Sequence, residues 1–284
     1  MARQIFITVL IAALISFGTY KLTAHDQTTE TKKETAYERV MRTRTLRCGY
    51  NVWAPAVEKD PNTGAITGFI PEMIEYAAKS IGIKVEWVAQ AGWGTFPQDL
   101  QNGKFDAMCA GAWATKELAP YVAFTRPVFF NPVYAFVRAD DHRFDTDLKI
   151  LNDPQYKIGS IDSAISETIA KDDYPKAKVV GLPQLSDPGQ TFEELSQNKT
   201  DVVFMEGSFA KEYLEKNPGK IRRTSDTPVR SFPSPLMGVD IHDAPLAMVF
   251  DTIIGEMQLQ GTVDRTLKKH NADPALFFQP IRPY

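Results

Sequence analysis

Phe69-Ile-Pro-Glu-Met-Ile-Glu-Tyr-Ala-Ala-Lys-Ser-Ile-Gly-Ile-Lys-Val-Glu-Trp-Val-Ala-Gln90 is the stretch that decides how this chain folds. Phe69, Met73, Ile74, Ala77, Ala78 and Ile81 recur at the spacing of one buried helix face, and Gly82 supplies the stop. Ile83 to Val88 then reads as a strand. Working outward, Leu46 to Tyr50 is a short buried strand on one side. On the other, a helix from Thr95 to Asn102 is ended by Gly103, and Phe105 to Ala110 is a further buried strand. Strand, helix, strand, helix, strand predicts a mainly parallel sheet covered by helices, with ligand sites beyond the carboxyl ends of its strands.

The alternation restarts after Asp140 and Asp141. Lys157 to Ile161 and Lys178 to Leu182 read as strands around a helix from Ser163, followed by a helix over Thr191 to Gln197, a strand Asp201 to Met205 and a helix Ser208 to Glu215. Pro228, Pro233 and Pro235 mark an extended segment before strand Leu236 to Val239 and a long helix carrying Leu246, Phe250, Ile253, Ile254 and Met257 on one face. The expected fold class is α/β, with lobe 1 formed by residues 43–132 and 232–284 and lobe 2 by residues 133–231. Extended crossovers near Val133 and Arg230 would form a hinge beside a cleft.

Composition narrows the function classes. Apolar residues make up 43% of the 284, charged residues 24%, and the net charge is -3 without any basic run, which excludes a nucleic-acid partner. Residues 1–24 read as a signal peptide or short membrane anchor. Arg3 precedes an apolar stretch from Ile5 to Phe17, shorter than the roughly 18 to 20 residues of a membrane span, and Ser16 and Gly18 are spaced for cleavage. Residues 25–42 read as a polar linker. Cys48 and Cys109 permit one disulfide in an exported protein. Both lie in strand-like stretches, and two separate buried thiols are the preferred reading, because neighbouring parallel strands rarely present disulfide geometry.

Leu46-Arg47-Cys48-Gly49-Tyr50, Gly64, Gly68-Phe69, Gly103-Lys104-Phe105-Asp106, Phe124-Thr125-Arg126-Pro127, Ile158-Gly159 and Asp201 to Glu206 occur in an order and spacing that resemble the family 3 extracellular solute-binding proteins, from Leu46 to about Thr266. The resemblance implies a type II periplasmic-binding-protein, or Venus-flytrap, fold of two α/β lobes. It implies a periplasmic monomer that takes a small-molecule ligand from solution and delivers it to an ABC transporter permease. It implies no cofactor, no metal and no catalytic residue.

The same resemblance exposes departures. The loop after the Gly-Lys-x-Asp strand of the family carries a hydroxyl residue and, five positions on, an arginine that binds a ligand carboxylate; here these are Trp113 and Leu118. The family's Gly-Thr-Thr turn matches Ser163, Ala164 and Ile165. A free α-carboxylate in the usual pose would be poorly satisfied. The family's ammonium-binding acid matches Glu206, and matching positions place Trp53, Trp93 and Trp113 around it, a combination suited to a cationic or amine ligand. Thr115 matches a ligand-side threonine, and Ser163 or Ser166 would cap the following helix as well as face the ligand. Lys116 and Arg126 are expected to be surface cations, with a carboxylate partner role as the alternative. Each tryptophan has a packing alternative, and Glu206 a solvated-surface one.

Two other classes compete. Cyclohexadienyl dehydratase resembles these binding proteins and needs a cleft acid, a role open to Glu206, although the missing arginine argues against it. A ligand sensor tethered by an uncleaved N-terminus is the other. His25, His142, His242 and His270 are scattered, and neither a nucleophilic triad nor a phosphate-cradling loop is present, so hydrolase and nucleotide-binding readings are weak.

Overall fold

The computed structural model describes residues 34–272. The expected signal or anchor, the first half of the expected linker (residues 25–33) and residues 273–284 lie outside the described residues. The elements, in chain order, are α1 (Ala36–Thr43), β1 (Thr45–Tyr50), β2 (Glu58–Lys59), β3 (Ile66–Thr67), α2 (Phe69–Ser80), β4 (Lys84–Gln90), α3 (Phe96–Gln101), β5 (Ala107–Met108), β6 (Val122–Phe124) and β7 (Pro127–Arg138). They continue as β8 (Lys157–Ile161), α4 (Ile165–Asp173), β9 (Lys178–Leu182), α5 (Pro188–Ser196), β10 (Val202–Glu206), α6 (Gly207–Lys216), β11 (Ile221–Arg223), β12 (Arg230–Pro235), β13 (Gly238–Asp240), α7 (Ala244–Leu259) and α8 (Thr262–Lys269).

Two sheets result. The first runs β4-β1-β5-β13-β6, the second β11-β7-β10-β8-β9 with β12 paired to β7. Each has a parallel kernel, β4-β1-β5 and β10-β8-β9, flanked by antiparallel strands that bring the chain back. The period of α2 buries Phe69, Ile70, Met73, Ile74, Ala77 and Ala78, and Leu246, Phe250, Ile254 and Met257 of α7 join the same core. The second sheet separates two smaller cores. Val133, Ala135, Val202 and Phe204 face α4 on one side, while Tyr134, Phe136, Val203 and Met205 face α5 and α6 on the other. This is the period-two alternation of a sheet buried on both faces.

β7 and β12 form the crossover. Pro127 to Val133 pair antiparallel with Pro235 to Arg230, after which β7 enters the second sheet beside β10 and β11. The proline-rich stretch is thus a paired strand.

Two sequence expectations are corrected. The end of the expected linker is helical: Thr35 and Glu38 form a reciprocal capping box, Val40 is buried, and Arg39 reaches Asp106 through a short ion pair and through Nε at 3.0 Å. Asp106 is held from a second side by Arg47, whose Nη2 lies 2.8 Å away and whose backbone N–H donates at 2.7 Å. The aspartate of the Gly-Lys-x-Asp motif therefore ties α1 and β1 to the strand that follows it. Cys48 and Cys109 are also joined, as a disulfide with Cα atoms 5.6 Å apart. Cys109 lies one residue beyond β5, and leaving the regular strand frees its side chain from parallel-pair geometry.

Candidate functional site

The carboxyl ends of both kernels open on one cavity of about 520 Å³, a size suited to a small solute. Trp53, Trp93, Trp113, Thr115, Ser163, Ser166 and Glu206 all line it. They reach it from the loops after β1, β4 and β5, from the turn after β8 and the start of α4, and from the last residue of β10.

The three tryptophans differ in how they are held. Trp53 is 5% exposed. Its Nε1 donates to the Ala110 carbonyl at 2.7 Å, and its ring packs edge-on to Phe69 and tilted against Phe129 and Phe209. With its polar handle satisfied, it offers the cavity only apolar ring. Gly111, at φ +69°, makes this possible, because a Cβ there would lie 3.2 Å from Trp53 Cζ2 and 2.7 Å from Ile70 Cδ1. Trp113 stacks flat on Phe232 of β12, with centroids 4.8 Å apart and an interplanar angle of 9°. It thereby joins the first sheet's loop to the crossover. Trp93 is partly buried and packs against the first core.

The polar residues come mostly from the second sheet. Glu206 ends β10 and is the N-cap residue of α6, without capping it through its side chain. Desolvation pushes its carboxyl up to about 7, against a smaller opposing influence from its own backbone N–H. No ion pair reaches it among the described residues. Glu117, Glu167 and Asp187 add three further carboxylates to the lining. Lys171 is the one cationic side chain there, and its Nζ lies 2.5 Å from Glu167 Oε1.

Neither predicted cap is made. Ala164 is the N-cap residue of α4 and has no side-chain bond to offer. Ser166 is 2% exposed and its hydroxyl donates back to the Gly159 carbonyl at 2.7 Å. Ser163 sits in the left-handed region at φ 63°, and its N–H is taken by Glu167 Oε2 at 2.6 Å. The helix therefore begins with Glu167 reaching back in place of a hydroxyl cap.

Lys116 and Arg126 stand outside the cavity lining. Arg126 forks onto Asp251 at 3.0 and 2.7 Å, and Lys116 Nζ binds Asp172 of α4 at 2.9 Å. Leu118 lines the cavity where the family's arginine would stand. The loops meet across the opening: Gly94 N–H donates to Gln184 Oε1 at 3.3 Å.

Asn131, Phe209, Glu117 and Asp187 are cavity residues that the sequence reading missed. Asn131 carries a readable signal, a polar residue inside the apolar run Val128 to Val137.

Comparison with known proteins now decides the family. The model for bacterial extracellular solute-binding proteins, family 3, matches residues 46–273. The chain belongs to that family. A Campylobacter jejuni relative, named "Probable histidine-binding protein", is 30% identical over 155 residues, 54% of this chain and 57% of that one. A Haemophilus influenzae relative, "Probable amino-acid ABC transporter-binding protein", is 25% identical over 223 residues, 77% of each chain. Among solved structures, an ancestral amino acid-binding protein described as a precursor of cyclohexadienyl dehydratase superposes with a TM-score of 0.69 at 25% identity, over 83% of this family member and 98% of that chain. The family member thus has the two-lobed type II fold, and the relatives are named as binding proteins for histidine or for an amino-acid ABC transporter.

Proposed function

We propose that this protein captures a small protonated amine or cationic amino-acid-like solute between its two sheets, outside the cytoplasmic membrane, and presents it as a monomer to an ABC importer without chemical change. The charge of the cavity lining carries the reading: four carboxylates against one ammonium that is already paired with one of them. A cation entering such a cavity replaces water around desolvated carboxylate and meets aromatic faces worth about 0.5 to 2 kcal/mol each. Glu206, Trp53, Trp93 and Trp113 are the residues that would contact it, with Thr115, Ser163 and Ser166 in the same lining. A ligand held by both sheets binds the closed form better than the open one, and that difference drives closure. The names of the Campylobacter and Haemophilus relatives agree with this class of solute. Arg3 and the apolar stretch after it support export.

A second reading has one observation in its favour. A buried carboxyl whose pKa is raised to about 7 is a competent proton donor, as an elimination enzyme would need. Leu118 at the arginine position, and the lack of an unpaired cation in the lining, count against the carboxylate substrates of such an enzyme.

Thermal-shift screening of the purified protein against L-histidine, L-arginine, putrescine, ethanolamine, choline and a neutral sugar, followed by calorimetric titration of the hits, tests the proposal. Stabilisation by cations and not by the sugar is expected. Stabilisation by the sugar alone, or by none of them, overturns the reading.

A further inference from the structure

Asn131 lies in the middle of the crossover, on β7 opposite Phe232 of β12. It is 1% exposed and lines the cavity. Its Nδ2 donates to Ser234 Oγ at 3.3 Å. Its Oδ1 is buried and has no hydrogen-bond partner among the described residues. A buried amide oxygen without a donor carries its whole desolvation penalty, so folded proteins almost always supply one.

Strand register shows which side chain shares its position. Glu206 stands opposite Val133 in the antiparallel pair of β10 and β7. Opposed residues project to the same face of a sheet, and so do residues two apart on one strand. Glu206 and Asn131 are therefore diagonal neighbours on one face, roughly 7 to 8 Å apart at their backbones. One offers a carboxylate without an ion-pair partner, the other an amide oxygen without a donor, and both meet the same cavity.

From this juxtaposition we propose that Asn131 Oδ1 and the Glu206 carboxylate form a two-point acceptor for the N–H groups of a single ammonium, making Asn131 a specificity-determining residue. The inference rests on the reading of the cavity as a cation site and narrows it. Aromatic rings attract any cation, methylated or not. The paired acceptors demand a cation that donates at least two hydrogen bonds, so primary amines are selected over quaternary ammonium compounds. Because Asn131 belongs to the crossover and Glu206 to the second sheet, the bound ammonium also fastens the ligand to the segment about which the two sheets move.

Titration calorimetry on the purified protein tests this with two matched pairs, ethanolamine against choline and L-lysine against Nε-trimethyl-lysine. The wild type should prefer the unmethylated member of a pair by roughly ten- to a hundredfold, the usual effect of leaving buried polar groups unpaired. Asn131→Leu should lose a similar factor for the unmethylated cation and narrow the gap within the pair. Asn131→Asp, which offers only acceptors, should bind that cation at least as tightly as the wild type. Equal affinity for methylated and unmethylated cations overturns the inference, as does an Asn131→Leu variant that binds ethanolamine and lysine unchanged, or an Asn131→Asp variant that fails as badly as Leu. In those cases the cation-site reading survives. Wild-type protein that binds none of the four overturns that reading and the inference together. If Asn131→Leu does not fold, the wild-type comparison within each pair decides by itself.

Discussion

The two walls of the cavity are built on opposite plans. The first sheet contributes the rings of Trp53, Trp93 and Trp113, with the Trp53 indole N–H already bonded, on a framework stapled by Cys48–Cys109 and by the ion triad around Asp106. The second sheet contributes three of the four lining carboxylates, Glu167, Asp187 and the strand-end Glu206 in its costly protonation environment, and the uncapped starts of α4 and α6. One wall is a fixed platform and the other holds electrostatic stress that a ligand can relieve. Binding sites often trade stability for affinity, and here the trade is confined to one lobe.

Removing the stress gives the largest expected effect. Glu206→Gln should weaken cation binding a hundredfold or more, since removing one partner of a buried charge pair costs roughly 3 to 5 kcal/mol. The same variant should make the unliganded protein more stable at pH 8. A carboxyl raised from 4.5 to about 7 on folding holds its proton more tightly in the native state, so stability falls as pH rises between those values, by up to about 3 kcal/mol. Chemical denaturation of both proteins at pH 4.5 and pH 8 checks this. A Gln variant without a stability gain at pH 8 would remove the distinction between the walls.

The platform is tested by reduction. The bridge closes a sequence separation of 61 residues, so losing it should cost about 2 to 4 kcal/mol and lower the melting temperature by roughly 10 °C. Cation affinity measured well below that temperature should stay within about threefold. Thermal scans and titrations with and without reductant give both numbers.

Proton competition at Glu206 sharpens the comparison further. Cation affinity should fall by up to tenfold per pH unit as pH drops below about 7, because the bound state requires the ionised carboxylate. The Glu206→Gln variant should show a flat profile. A smaller effect is expected where the walls touch. In Gly94→Ala the new Cβ would come within 2.5 Å of Ser163 Oγ and 2.8 Å of Ser163 Cβ, so affinity should drop several-fold while the melting temperature of the unliganded protein is unchanged. The smallest should come from Lys116→Gln, which removes the exposed bridge to Asp172 outside the cavity lining. That exposed bridge should be worth about twofold in affinity at low salt and nothing at high salt.

The first lobe's kernel could be read from Phe69 to Gln90 because its period and glycine stop are local properties of the chain. The antiparallel strands β6 and β11 could not, since three-residue strands acquire their identity from partners distant in sequence, whereas β13 falls within the stretch read as a strand from Leu236. The helix over Ala36 to Thr43 was legible in its capping box but obscured by polarity, and what fixes it is Arg39 on Asp106. The cysteine pair depends on one residue of strand length at Cys109. At the site, positions inferred from the family's motifs do lie around one cavity, whereas the hydrogen bonds that occupy Ser166 and Trp53 arise only from packing. Asn131 shows in the sequence as a polar residue in an apolar run, but the buried oxygen without a partner that sets it apart arises only from packing.

The crossover carries one more consequence. Among the described residues, β7 pairs over Pro127 to Pro132 only with β12, and β12 only with β7, so this ribbon has no third strand on either side. Open edges invite other chains to add strands. Four prolines, Pro127, Pro132, Pro233 and Pro235, interrupt the ribbon's donors, and a proline cannot supply the N–H that a docking strand would need. The prolines of the segment that joins the two sheets therefore also deny a further strand the donors it would need there.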